Sequence, residues 1–191
     1  MSGRPLFAVW AAALAALAHA SPAGATVMVE VPLEAMVRDA DAIVHGVVER
    51  TGTQMVVRDG GLEPRTITVV RVRTWLKGSG GETVVIREIG GEWQNGGMRI
   101  DGTPVYGAGD EVVAFLERNS EQPSIYRTYA MVQGKFDVVH GAPGVPSLVR
   151  RDLASIAFAR WVDGEMTVQG ASNDPAMGLE SFLDLVRRLS R

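Results

Sequence analysis

The sequence predicts a mainly β domain, a small barrel or sandwich with a helix at each end. Stretches rich in β-branched residues recur from Ala42 to Val139, divided by Gly, Asn, Ser and Pro. Apolar spacing of three and four, the mark of a helix face, stands out at 32–40 and 173–191. The chain has no cysteine, so neither disulfides nor thiolate chemistry enters the fold.

Residues 1–25 carry Arg4, an apolar run from Leu6 to Ala18, and small residues around Pro22. This is the three-part pattern of a secretory signal peptide. As a helix the run would rise only about 20 Å against roughly 30 Å of hydrocarbon, too short for a comfortable span. Cleavage is expected after Ala25, where Pro22 breaks the helix just upstream, with Ala20 as the second site. No later stretch is apolar enough to cross a bilayer, so the mature protein is expected to be periplasmic or secreted. Residues 26–191 form one domain, long enough to bury about 70% of the unfolded surface without a staple.

In "PLEAMVRDA" (32–40), Leu33, Met36, Val37 and Ala40 share one helical face, and Pro32 suits the first turn. Strands are predicted at "AIVHGVVER" (42–50), "TITVVRVRTWL" (66–76) and "TVVIREI" (83–89). Within the second, Ile67 and Val69 share one face whereas Val70 and Val72 share the other. Such a slip predicts a β-bulge or a strongly coiled strand serving two surfaces. Further strands are read at 111–118, 125–132 and 135–139, and 141–147 is a loop. The stretch 147–162 reads as a strand followed by a short helix, and "EMTVQG" (165–170) as a short strand. The last helix takes Asn173 or Asp174 as N-cap, Pro175 in its first turn, and Leu179, Phe182, Leu183, Val186 and Leu189 along one face.

The segments "ADAIVHGVV" (40–48), "VRVRTWLKG" (70–78) and "GDEVVAFL" (109–116) resemble, in order and spacing, strands of netrin-module domains such as the tissue inhibitors of metalloproteinases. The chain is also similar to exported bacterial proteins with that core and a Gly-Lys-Phe segment, here Gly134-Lys135-Phe136. The resemblance covers about 33–139 and implies a five-stranded OB-type barrel with a short N-terminal helix and a C-terminal amphipathic helix. It does not bring inhibition with it. Those inhibitors chelate the protease zinc through an N-terminal cysteine, and this chain has none.

Between 90 and 109 stand seven glycines. They match no phosphate loop: the one Gly-Lys pair, Gly134-Lys135, is followed by Phe136. Nor do they make a dinucleotide fingerprint, because Val112 holds the third glycine position and a strand follows. No cofactor is implied. The segment is either an inter-strand connection whose glycines accept positive φ or a functional loop, since loops beyond about 15 residues in compact domains tend to carry function. On the second reading Glu92, Trp93, Asn95, Arg99 and Tyr106 are the candidate binding residues.

His45 and His140 have no partner at metal-ligand spacing, so no metal site is predicted. His45 is read as a packed or rim histidine. Ser-His-Asp groupings converge only in space, and the sequence nominates no nucleophile. Arg65, Arg71 and Arg73 are read as a solvated strand face. Formal charge is −3, moving to −4 once Arg4 leaves with the leader, which disfavours nucleic acid. The expected function is an exported, non-enzymatic binding module contacting a protein or cell-envelope component through 90–109. A small envelope hydrolase with a site assembled across loops, and a structural accessory protein, are the alternatives.

Overall fold

The computed structural model describes residues 26–58, 60–94, 96–171 and 175–191. The expected leader, Asn95 and the expected caps Asn173 and Asp174 lie outside the described residues. Strands dominate. After β1 (Thr26–Val29) and α1 (Leu33–Asp39) come β2 (Ala42–Arg58), β3 (Gly61–Lys77), β4 (Thr83–Ile89), β5 (Gly91–Trp93) and β6 (Gly96–Met98). Next are β7 (Glu111–Arg118), β8 (Ile125–Thr128), a 3-10 turn at Met131–Gly134 and β9 (Lys135–Val139). The chain ends with β10 (Leu148–Arg150), β11 (Ile156–Val162), β12 (Glu165–Gly170), β13 (Met177–Gly178) and α2 (Leu179–Leu189).

Five strands close a ring, in the order β2, β3, β4, β8, β7 and back to β2. Every contact is antiparallel except β4 with β8. The run "VVAFL" in β7 is apolar without alternation because both its faces are covered. Val112, Ala114 and Leu116 point into the ring with Val44, Val70 and Ile86. Val113 and Phe115 point outward, where Met36 and Val37 of α1, Phe136 of β9, and Phe182, Leu183 and Val186 of α2 cover them.

The phase slip in β3 has a structural cause. Val48 faces Val70 but Arg50 faces Val69, so Glu49 is an extra residue in β2 opposite that point. Two further shifts leave Arg73 and Leu76 as the extra residues on β3. Each bulge coils the hairpin, which lets β2 and β3 serve both ring and helices. The approach at Gly46 is close: a Cβ there would lie 2.4 Å from the Arg71 carbonyl oxygen and 2.9 Å from Val70 Cγ1. Gly46→Ala is therefore expected to cost about 1–3 kcal/mol, as overpacking does. Urea unfolding checks this, and an unchanged midpoint would mean that the bulged pair separates freely.

Several boundaries differ from expectation. The β2–β3 hairpin runs well past the predicted strands, to Arg58 and back from Gly61. β8 stops at Thr128, because Ala130 and Met131 adopt φ of 55° and 57° and enter the 3-10 turn. The short helix read within 147–162 is absent: Ile156–Val162 is a strand, paired in parallel with β1 and antiparallel with β12. Its first residues are buried, with Ile156 and Phe158 packing on Val132 and Leu153 in a small separate core. Gln133 ties β1 to this region, accepting the Val31 N–H at 2.9 Å and donating to the Val29 carbonyl at 3.1 Å. α2 begins at Leu179, not near Pro175, because Met177 and Gly178 pair with β10 instead. Of its predicted apolar face, Leu179, Phe182, Leu183 and Val186 are buried and Leu189 is partly exposed.

Candidate functional site

The connection between β4 and β7 is not a plain loop. Gly90 and Gly91 leave β4 at φ of 93° and 147°, and the chain folds into the small β5–β6 ribbon. The hairpin tip holds this ribbon: Thr66 Oγ1 donates to the Gly90 carbonyl at 2.9 Å, and Glu92 N–H donates to Thr53 Oγ1 at 3.1 Å. From Arg99 the chain turns back at Gly102, whose carbonyl accepts the Val132 N–H at 2.8 Å. Between ribbon, hairpin tip and returning segment lies a cleft of about 620 Å³.

Its walls mix hydroxyls, charges and apolar groups. Thr51, Thr53 and Thr66 come from the hairpin, Glu92, Met98, Arg99 and Asp101 from the ribbon and the strand of chain after it, and Ser155 from just before β11. Thr103 Oγ1 is buried in the wall without a hydrogen-bond partner. A buried hydroxyl left so costs free energy until something supplies its bond.

The five expected binding residues separate. Glu92 and Arg99 line the cleft, and the Arg99 side chain is 82% exposed with Asp101 4.0 Å away. Trp93 is 37% exposed and faces a shallower hollow on the other side of the ribbon, shared with Glu92 and Gln94. Asn95 lies outside the described residues. Tyr106 borders the cleft from within the core, only 3% exposed. Its hydroxyl donates to Thr128 Oγ1 at 2.7 Å, and Thr128 in turn donates from Oγ1 at 2.6 Å and from its N–H at 2.8 Å to Glu88 Oε1. Lys135 Nζ sits 5.4 Å from the Tyr106 ring centroid and donates to Asp137 at 2.6 Å. This network is a floor under the cleft and not part of its open surface. Burial, then the neighbouring Glu88, pushes the Tyr106 phenol far above its ordinary value.

Glu92 and Arg99 stood out in the sequence because they sit among glycines. Thr51, Thr53, Thr103 and Ser155 carried no such signal, since hydroxyl residues are common in any strand or loop and only cross-strand pairing brings these together.

The arginine stripe is not simply solvated. Arg65 is 8% exposed and donates to Glu63 at 2.6 Å, Arg71 is 3.5 Å from Glu49, and Arg73 is 2.8 Å from Glu111. Each of the three cations has an acidic neighbour. Trp75 packs partly against the ring interior and donates from its indole to the Gly81 carbonyl at 3.2 Å.

Around Glu111 a second polar cluster forms. Its side chain is 5% exposed; Oε1 is 2.7 Å from His45 Nε2, and Oε2 is 2.8 Å from Arg73 and 3.2 Å from His140 Nε2. His45 is thus packed, as its strand position suggested. No group of three or more His, Asp or Glu among the described residues is placed to hold a metal ion, and no helix among them is long and apolar enough to cross a membrane. Comparison with protein-family models, with curated proteins and with solved structures finds no match to this chain.

Proposed function

We propose that the protein is an exported binding module built on an OB-type barrel, and that it takes a segment of a cell-envelope protein into the cleft beside residues 90–109. The cleft itself carries this reading: about 620 Å³ is within the range of ligand sites, roughly 300–1,000 Å³. A wall of hydroxyls, one guanidinium, two carboxylates and apolar patches suits a peptide, which offers main-chain donors and acceptors together with mixed side chains.

The ring supports the OB-type assignment. Numbered along the chain, its strands run 1-2-3-5-4-1 with a single parallel contact, between the third and fifth. The resemblance of 40–48, 70–78 and 109–116 to netrin-module strands implies a barrel of the same class. In OB barrels ligands bind on strand faces and connecting loops, and here strand residues of the β2–β3 hairpin form one wall of the cleft.

The test uses protein purified after expression of the full chain and an envelope extract. Partner capture is expected to fall about tenfold or more in a Glu92→Ala, Arg99→Ala double variant, the loss of one or two interface anchors lining the cleft. A photo-crosslinking residue at Val105, which is 72% exposed on the cleft rim, should attach to the same partner. Equal capture by the variant, with no crosslink at Val105, would remove the cleft from the interaction.

A further inference from the structure

The Glu111 cluster extends outward to a hydroxyl. β9 and β10 pair with Val139 opposite Leu148, so the next positions, His140 and Ser147, face each other across the mouth of the 141–146 loop. Ser147 Oγ lies 3.0 Å from His140 Nδ1. The other ring nitrogen, Nε2, lies 3.2 Å from Glu111 Oε2. Assigning the ring hydrogen to Nε2, the nitrogen nearer the Glu111 carboxylate, leaves Nδ1 to accept the Ser147 O–H. His45, hydrogen-bonded at 2.7 Å, and the Arg73 guanidinium, ion-paired at 2.8 Å, hold the carboxylate on its other sides. The Ser147 backbone is fixed as well, because its carbonyl accepts the Leu179 N–H at 2.8 Å where α2 begins.

A hydroxyl bonded to an imidazole that is itself oriented by a buried carboxylate is the arrangement of an activated nucleophile. We propose that Ser147 is an acyl-accepting nucleophile, with His140 as its base and Glu111 as the group that positions the base, and that the protein hydrolyses carboxylic esters there. Oγ bonds to the ester carbonyl carbon while its proton passes to His140 Nδ1. Collapse of the adduct breaks the bond to the alkoxide, which leaves with that proton as the alcohol. Water then attacks the acyl-serine, gives one proton to Nδ1, and releases the acid as Oγ takes the proton back. The His140 side chain is 61% exposed, so water reaches the second step. An ester fits better than an amide because an alkoxide needs less help to depart than an amine. None of this involves the cleft residues, so the two readings stand or fall separately.

The experiment treats the purified protein with a fluorophosphonate, which transfers its phosphoryl group to an activated serine and loses fluoride, and locates the adduct by peptide mass spectrometry. The adduct is expected on Ser147. It should vanish in Ser147→Ala and form about 100-fold more slowly in His140→Asn, the scale of a general base. Hydrolysis of a p-nitrophenyl ester should fall in parallel, while Arg99→Ala leaves both unchanged. Both site variants lie at the surface, and an unchanged urea midpoint shows that they are folded. No adduct on Ser147, or labelling at the wild-type rate in His140→Asn, would overturn the proposal.

Discussion

Phe136→Ala is expected to destabilise the protein by about 3–5 kcal/mol, a large share of the roughly 5–15 kcal/mol that holds a typical domain folded. Phe136 is the link between two layers. Its ring lies 5.4 Å from that of Phe115 on the outer face of the five-strand ring and 4.7 Å from that of Phe182 in α2, both in tilted geometry. The Arg151 guanidinium lies 5.3 Å from the same ring. Truncation would leave a cavity where β7, β9 and α2 meet, and rigid neighbours on three sides limit its collapse. Chemical denaturation should show the lowered midpoint, and limited proteolysis should show α2 released first. A loss below about 1 kcal/mol would mean that α2 reseats over the gap.

The second large effect belongs to Glu88. Burial raises its carboxyl from 4.5 to about 7, against the opposing pull of its two bonds from Thr128 and of the Arg127 charge. Because the folded value stands above the unfolded one, the folded state binds the proton more tightly. The stability this contributes is complete below about pH 4.5 and is lost as pH rises through about 7. The span corresponds to about 3 kcal/mol. Glu88→Gln keeps an oxygen to accept both Thr128 bonds and removes the ionisation. The variant should therefore lose most of the wild type's decline between about pH 5 and 8, and at the upper end be the more stable by up to about 3 kcal/mol. Urea midpoints at several pH values decide this. Parallel curves for the two proteins would show that Glu88 ionises without cost, through water reaching the floor of the cleft.

These two residues show how unevenly the fold was written in the chain. Phe136 lies in a short apolar strand and Phe182 in a clear helical stripe, so each element was legible alone. That the two rings meet was not, because nothing in either stretch names its partner. Glu88 shares the strand face of Val84 and Ile86, but the stretch does not name the groups that meet it; Tyr106 and Thr128, from distant segments, close over it. Tyr106 stood among the candidate binding residues of a glycine-rich segment that was read either as a functional loop or as a connection, and the return of the chain at Gly102 carries it inward.

The candidate sites divide in the same way. Glu92, Trp93 and Arg99 were visible, since bulky polar and aromatic residues among glycines stand out. The β5–β6 ribbon was not, because three-residue strands leave no period to detect. Ser147 and His140 were ordinary loop-edge residues until the β9–β10 register set them opposite each other.

What the sequence determined by itself is the mainly β class, the apolar stripe of α2, a bulge or strong coiling signalled by the slip between Val69 and Val70, and the absence of cysteine chemistry. All of these are local: they depend on periodicity, composition or one residue's neighbours along the chain. What the tertiary structure decided is closure of the ring, the burial of Glu88 and Tyr106, the cleft, and the Ser147–His140–Glu111 alignment. Each needs a register between strands far apart in the chain, and the free energy that selects a register is distributed over a whole packed face. No single stretch of the sequence contains it.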